Sequence, residues 1–184
     1  MLLNFECVLE AIISSKTRIK LLLKFFLNSN NTAYLRGLEA EFGDSSNAIR
    51  LELKRLEDAG LLVSFSDGNK KFFQANTGHP LFSEIHNILL KTTGLDQVID
   101  QVIHKLGKVE QVFLSGEFAK GLDHPILDLI FIGDIDRSYL LQLVEKAENL
   151  VKRKIRYIIY TTPEFQALDW IKIQPPPFLL WSKP

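Results

Sequence analysis

The chain has a single cysteine, Cys7, so no intramolecular disulfide can form and no cysteine-rich zinc site can be built. Cys7 itself reads as a small hydrophobe. Long apolar runs are also missing. The longest, Ile19–Leu27 and Leu127–Ile132, are short or interrupted by charge and fall below the ~18–20 residues a membrane span needs. No basic stretch leads into an apolar segment and a small-residue cleavage site near the N-terminus, so no secretion signal is expected. The simple expectation is a cytoplasmic protein with no membrane contact. Charge of one sign is absent too: 22 Lys and Arg offset 22 Asp and Glu. That balance argues against strong non-specific attraction to polyanions and leaves room only for a local basic face. The four histidines, His79, His86, His104 and His124, are scattered without ligand spacing, so no metal and no cofactor is expected. No internal repeat occurs.

What is present is patterned. A chain of 184 residues, 46% of them hydrophobic, has room for one large domain or two small ones. Ser15–Leu27 predicts a helix, with Ile19, Leu22, Leu23 and Phe26 at helical spacing on one face. An earlier helix, Phe5–Ile13, carries Phe5, Val8, Leu9 and Ile12. A short helix is expected over Ala33–Glu41, closed by Phe42-Gly43. Asp44-Ser45-Ser46 then offers N-cap candidates for a helix running to Ala59, with Ala48, Ile49, Leu53 and Leu56 as its apolar face and Gly60 as its C-cap. Leu61–Phe65 and Lys71–Ala75 are β-prone and flank Ser66-Asp67-Gly68-Asn69-Lys70, whose Asp-Gly is a hairpin signal. Another amphipathic helix, Pro80–Lys91, is broken by Thr92-Thr93-Gly94. The domain boundary is placed there, giving residues 1–93 and 94–184.

The second part alternates: helix Leu95–Leu106, strands Val109–Ser115 and Leu127–Ile132, helix Arg137–Val151, strand Lys154–Thr161, then a short helix from Thr162-Pro163-Glu164 to about Ile171. The tail begins with Pro175-Pro176-Pro177, which favours an extended tether. Phe178-Leu179-Leu180-Trp181 follows and is expected to dock on a core or a partner. The fold class is α+β.

Two short helices joined by a glycine-containing turn, with a hairpin after the second, is the order of a winged helix-turn-helix. Such a module puts its second helix in the major groove, where short polar groups and an exposed base at the N-terminal end meet the bases. Ser45, Ser46, Asn47 and Arg50 suit that end. Lys54, one turn on, can reach phosphate, and Lys70 and Lys71 on the hairpin can hold adjacent backbone or minor groove. Against them stand Glu52, Glu57, Asp58 and Asp67, so between Ser45 and Lys71 the bases Arg50, Lys54, Arg55, Lys70 and Lys71 barely outnumber the acids. A winged helix used for protein contacts, as in an antitoxin-like adaptor, therefore stays open as an alternative.

The run Ser46-Asn47-Ala48-Ile49-Arg50-Leu51-Glu52-Leu53-Lys54-Arg55-Leu56-Glu57-Asp58-Ala59-Gly60-Leu61-Leu62 resembles the ArsR/MarR-like winged-helix transcriptional regulators. The resemblance covers roughly Ser15–Asn76. It implies a homodimer on a two-fold double-stranded DNA site, with Ser46, Asn47, Arg50 and Lys54 in recognition positions. The metal-sensing cysteines of ArsR proteins are absent, so metal sensing is not implied.

Nucleotidyl transfer needs metal ions held by paired carboxylates, and alternate strand positions bring such pairs to one side. The stretch Phe113–Gly121 followed by Leu127–Gly133 looks like the minimal nucleotidyltransferase family, whose pattern is a Gly-Ser-x-Ala-Arg-Gly turn and then Ser-Asp-x-Asp. Gly116, Phe118, Ala119 and Gly121 match, and Lys120 replaces Arg. Glu117 stands where the phosphate-side Ser belongs. Asp128 lacks its partner acid, with Ile126 on one side and Ile130 on the other, and Arg156 lies near where a third acid would sit. Asp134 and Asp136 read better as a helix start than as a displaced pair.

The expectation is a catalytically inactive, nucleotidyltransferase-like domain with a vestigial nucleotide site at Gly116, Glu117, Lys120 and Asp128. A divergent metal-dependent nucleotidyltransferase using Asp128, Asp134 and Asp136 is the enzyme alternative. The two parts in this order, with Tyr160–Phe165 and the Pro177–Leu180 run, resemble prokaryotic predicted regulators that join a winged helix to such a domain. That implies a DNA-binding transcriptional regulator whose C-terminal domain serves dimerisation or the sensing of an unidentified small-molecule or protein effector.

Overall fold

Ser15 opens the first helix because its hydroxyl accepts the Arg18 N–H at 3.2 Å, satisfying one of the free donors of the first turn. The helix α1, Lys16–Leu22, runs on into a π-helical turn, Leu23–Leu27. The computed structural model describes residues 11–168 and 176–183. Of the expected helix Phe5–Ile13, residues 5–10 lie outside the described residues, and Ala11 and Ile12 are helical. Within them the architecture is α+β, and the chain divides into two compact units, Met1–Thr92 and Thr93–Pro184.

In the first unit, α1 is followed by β1 (Ala33–Tyr34), α2 (Leu35–Phe42), α3 (Ser46–Asp58), β2 (Leu62–Asp67), β3 (Lys70–Ala75) and α4 (Phe82–Thr93). The helix expected from Ala33 starts at Leu35. Ala33 and Tyr34 instead pair with Phe73 and Phe72 as a short third strand, so the sheet order is β1-β3-β2. Both residues suit a half-buried strand as well as a helix, and only the distant β3 decides between the two. The hairpin connection is also tighter than the expected Ser66–Lys70, because both strands run further towards the turn. Asp67 pairs with Lys70, leaving Gly68-Asn69 as the two-residue loop, with a positive φ of 55° at Gly68. A type II′ hairpin turn asks for glycine at that first loop position.

The core of this unit is Leu21, Phe25, Phe26, Leu38, Ile49, Leu53 and Leu62, all essentially inaccessible. Each such side chain contributes roughly 1.5–3 kcal/mol relative to exposure. Two cations of α1 and its π-helical turn tie the other helices down. Lys20 donates to the Phe42 carbonyl at 3.0 Å and to Asp44 at 2.9 Å, and the largely buried Lys24 pairs with Glu41 at 2.7 Å.

The second unit contains α5 (Leu95–Val98), a π-helical turn (Ile99–Ile103), α6 (His104–Leu106), β4 (Val109–Ser115), α7 (Gly116–Ala119), β5 (Ile126–Gly133), α8 (Arg137–Val151), β6 (Lys154–Tyr160), α9 (Thr162–Ala167) and β7 (Phe178–Ser182). The single helix expected over Leu95–Leu106 is thus interrupted by one wide turn. Its strands form one sheet in the order β6-β5-β4-β7. β5 and β6 run parallel, as a connection through α8 requires, and β4 lies antiparallel to both β5 and β7.

β5 is buried on both faces from Leu129 to Gly133, which explains its unbroken apolar run. Asp136 N-caps α8, accepting from Ser138 N at 2.8 Å and Tyr139 N at 3.1 Å, as its place before the helix predicts. Of the tail, the apolar run docks on the core by adding β7 to the free edge of β4, and Trp181 meets the His104 ring edge-on at 6.1 Å.

Glu52 is the one carboxylate buried in the first unit's core among the described residues. Burial pushes its carboxyl up, but hydrogen bonds from Arg18 and Ser15 and the charges of Arg18 and Arg55 outweigh that and hold it below the ordinary carboxylate range. A carboxylate with a depressed folded-state pKa adds stability above its unfolded pKa, and that stability is lost as pH falls through the folded value. We expect Glu52→Gln to lower the urea midpoint at neutral pH by an amount equivalent to about 1–3 kcal/mol. The gap to wild type should close as the pH is taken down through and below the carboxylate range. A gap that stays constant with pH would contradict the ionised, paired state of Glu52.

Candidate nucleic-acid interface

The face that α3 offers to solvent follows from the face it buries. Ile49, Leu53 and Leu56 sit at helical spacing against the core, and Glu52 falls on the same side. Arg18 donates to Glu52 at 2.7 Å and Arg55 at 3.0 Å, so the buried acid is neutralised where it stands. The opposite arc carries Asn47, Arg50, Leu51, Lys54 and Asp58, all exposed. Ser45 is the N-cap, its hydroxyl accepting from Ala48 N at 3.3 Å. Ser46 and Asn47 fill the first helical turn. Asp44, also expected as a capping candidate, is instead held by Thr17 and Lys20 of α1, each at 2.9 Å. Those bonds outweigh burial, which alone would raise its pKa, and keep the Asp44 carboxyl below its usual value. They also fasten the turn before α3 to α1.

The hairpin brings its two lysines towards the same side of α3. A groove of about 720 Å³ lies between them, with Arg36, Arg50, Lys54, Lys70 and Lys71 around it and Tyr34, Leu53 and Phe73 among its apolar lining. The predicted bases Arg50, Lys54, Lys70 and Lys71 are therefore gathered at one place. Sequence reasoning missed Arg36 and Tyr34. Tyr34 was assigned to a helix, and Arg36 lay on a helix with no reason to face the others. A basic residue in the first turn of the helix before the turn was the available signal.

One acid, Glu57, also lines the groove. It accepts Lys71 Nζ at 2.8 Å and the Ser64 hydroxyl. The bonds from Lys71 and then Ser64 hold its carboxyl below the ordinary range against a smaller effect of burial. Among the described residues Arg36, Arg50 and Lys54 form no ion pair. The groove is thus positive at the arc where α3 is exposed and locally neutral where the hairpin meets the last turn of α3.

In the second unit the structure brings Gly116 against Asp128. Gly116 has φ 66° at the end of β4, and a Cβ there would overlap the Asp128 carboxylate. That carboxylate is taken by the neighbouring strand: Arg156 donates to it twice, at 2.6 and 2.9 Å. The pair lies directly opposite in the β5–β6 register. The bond to Asp128 raises the Arg156 pKa further. Glu117 and Lys120 pair with each other at 2.6 Å. Asp134 pairs with Lys108 at 2.8 Å and Asp136 is spent as the α8 cap, so Asp128, Asp134 and Asp136 do not form one cluster. Among the described residues no three His, Cys, Asp or Glu side chains converge as a metal site.

No protein-family profile matches the chain. No curated protein matches it in sequence. Among solved structures it is similar to the transcriptional regulator BldR from Sulfolobus solfataricus, at 16% identity over 55% of this chain and 73% of that one, with a TM-score of 0.37. It is also similar to a proposed nucleotidyltransferase from the same organism, at 17% identity over 49% of this chain and 78% of that one, with a TM-score of 0.32.

Proposed function

We propose that the first unit is a winged helix-turn-helix that binds double-stranded DNA, and that the protein is a transcriptional regulator. The observation that carries this reading is the groove in which Arg36, Arg50, Lys54 and Lys70 stand together beside the exposed arc of α3. A 13-residue helix fits the major groove, and its N-terminal Ser46, Asn47 and Arg50 are of the types that read base edges. Lys54, Lys70 and Arg36 suit phosphate.

With a net charge of zero, one copy holds DNA weakly. A homodimer on a two-fold site answers that weakness. The strip of Leu81, just before α4, and Ile85 and Ile88 on it, with Leu81 and Ile88 exposed, is the proposed pairing surface. The second unit is proposed to be a nucleotidyltransferase-like module that does no transfer and serves dimerisation or sensing of a small-molecule or protein effector. In support, Asp128 has no second acid at alternate positions of β5 and is already neutralised by Arg156. Two metal ions need more ligand charge than that.

Each part has its own test. Arg50→Ala combined with Lys54→Ala should weaken binding to duplexes selected from random sequence and lower the slope of log affinity against log salt by about 0.9, the one phosphate contact of Lys54. Affinity and slope equal to wild type would sink the DNA-facing assignment of α3 and favour a protein-binding adaptor. Light scattering at micromolar concentration should report a dimer that Ile88→Lys converts to monomer; a wild-type monomer contradicts the two-fold reading. Incubation with labelled nucleoside triphosphates and magnesium or manganese should give no modified product, whereas a product lost in Asp128→Asn would establish an enzyme.

A further inference from the structure

We infer that the two adjacent hairpin lysines do different work, and that Tyr34 is a positioning residue for DNA contact: it aims Lys70 at the phosphate backbone, while Lys71 is a strut that Glu57 holds to α3. The inference rests on the DNA-binding reading and deepens it.

Neighbouring residues of a strand leave it on opposite faces, so Lys70 and Lys71, though both border the groove, meet different partners. Lys70 goes to the face that carries Phe72 and Tyr34, and its ammonium lies 4.4 Å from the centre of the Tyr34 ring. The ring is itself seated. Phe72 meets it edge-on at 5.3 Å, and the helix α2 passes behind it at Gly37. A Cβ on Gly37 would come 3.2 Å from Tyr34 Cε1, closer than ordinary contact. Glycine within a helix is unfavourable, and here it makes room for the ring. A ring face attracts an ammonium without cancelling its charge. No carboxylate holds Lys70 among the described residues. Its full charge therefore stands at the groove edge, on a preset path.

Lys71 is the opposite case. Its ammonium is 2.8 Å from the Glu57 carboxylate and lies over the Phe73 ring at 4.9 Å. Ser64 of β2 donates to the same carboxylate. Glu57 thus ties the last turns of α3 to both strands of the hairpin. For Lys71 to reach a phosphate it must abandon Glu57 and leave an unpaired negative charge in the groove, facing the DNA. Held as it is, Lys71 releases no counterions on binding and sets the spacing between α3 and the hairpin.

The test is fluorescence anisotropy of the full chain on a labelled mixed-sequence duplex across a salt series. Lys70→Met is expected to lower the log–log salt slope by about 0.9, and Lys71→Met to leave it unchanged. Glu57→Gln is expected to raise the slope by about the same ~0.9, because it frees Lys71 for phosphate. Tyr34→Phe keeps the ring and should bind as wild type. Tyr34→Leu should weaken binding in the wild-type background but add nothing to Lys70→Met, a coupling that a general packing defect does not produce. Equal slope losses for Lys70→Met and Lys71→Met would overturn the division of labour. Equal weakening by Tyr34→Leu in both backgrounds would overturn the positioning role. Wild-type chain that binds no duplex at all removes the DNA reading, and the inference with it.

Discussion

The rotation of α3 about its own axis is the constraint on which the candidate interface depends. Ile49, Leu53 and Leu56 define an apolar arc, and Glu52 lies within it. One residue of rotation is about 100°, enough to carry Arg50 or Lys54 into the core and Leu53 out of it. The hydrophobic arc alone tolerates some drift. Glu52 tolerates much less, because a buried carboxylate is destabilising unless its partners reach it. Arg18 comes from α1, beyond the turn that Asp44 pins, so the two contacts together hold both the rotation and the position of α3. Everything exposed on the far arc is exposed as a consequence.

Neutral overall charge and a basic groove are compatible because four acids of the first unit are paired locally. Glu41 is paired with Lys24, Asp44 with Lys20, Glu52 with Arg18 and Arg55, and Glu57 with Lys71. Counting charges along α3 and the hairpin treats Glu52 and Glu57 as competitors of the bases in the groove. Glu52 has left the surface altogether, and Glu57 cancels one hairpin lysine. The residual positive charge comes from Arg36, Arg50, Lys54 and Lys70, which line the groove beside the Glu57–Lys71 pair without an ion pair of their own among the described residues. The second unit applies the same principle to the opposite effect. Arg156, one strand over, pairs with Asp128 and balances its charge.

Much of this was legible without coordinates. The 3.6-residue spacing in Ser15–Leu27 and Ser46–Asp58, the capping serines, and the strand–turn–strand pattern around Gly68 are local, and local patterns survive in sequence. That Arg50, Lys54, Lys70 and Lys71 lie around one groove follows from helix periodicity and the hairpin, which each leave one face over. Asp128 without its partner acid was equally plain, since the missing residue is a neighbour in the chain. Tyr34 and Arg36 were not found, because their placement depends on β3, some forty residues away. The π-helical turns and the tighter hairpin loop escaped for the same reason: a change of a residue or two in an element's end is invisible until something distant packs against it.

The sequence by itself determined most of the helices and strands, which faces are apolar, and that Asp128 has no second acid at alternate strand positions. Those properties follow from residue types at short spacing. Tertiary structure alone decided which charges remain available. Whether Glu52 opposes the groove or disappears beneath it depends on Arg18, and whether Lys70 or Lys71 stays free depends on Tyr34 and Glu57. Electrostatic pairing acts over a few ångströms in space, and sequence distance carries almost no information about which groups will meet there.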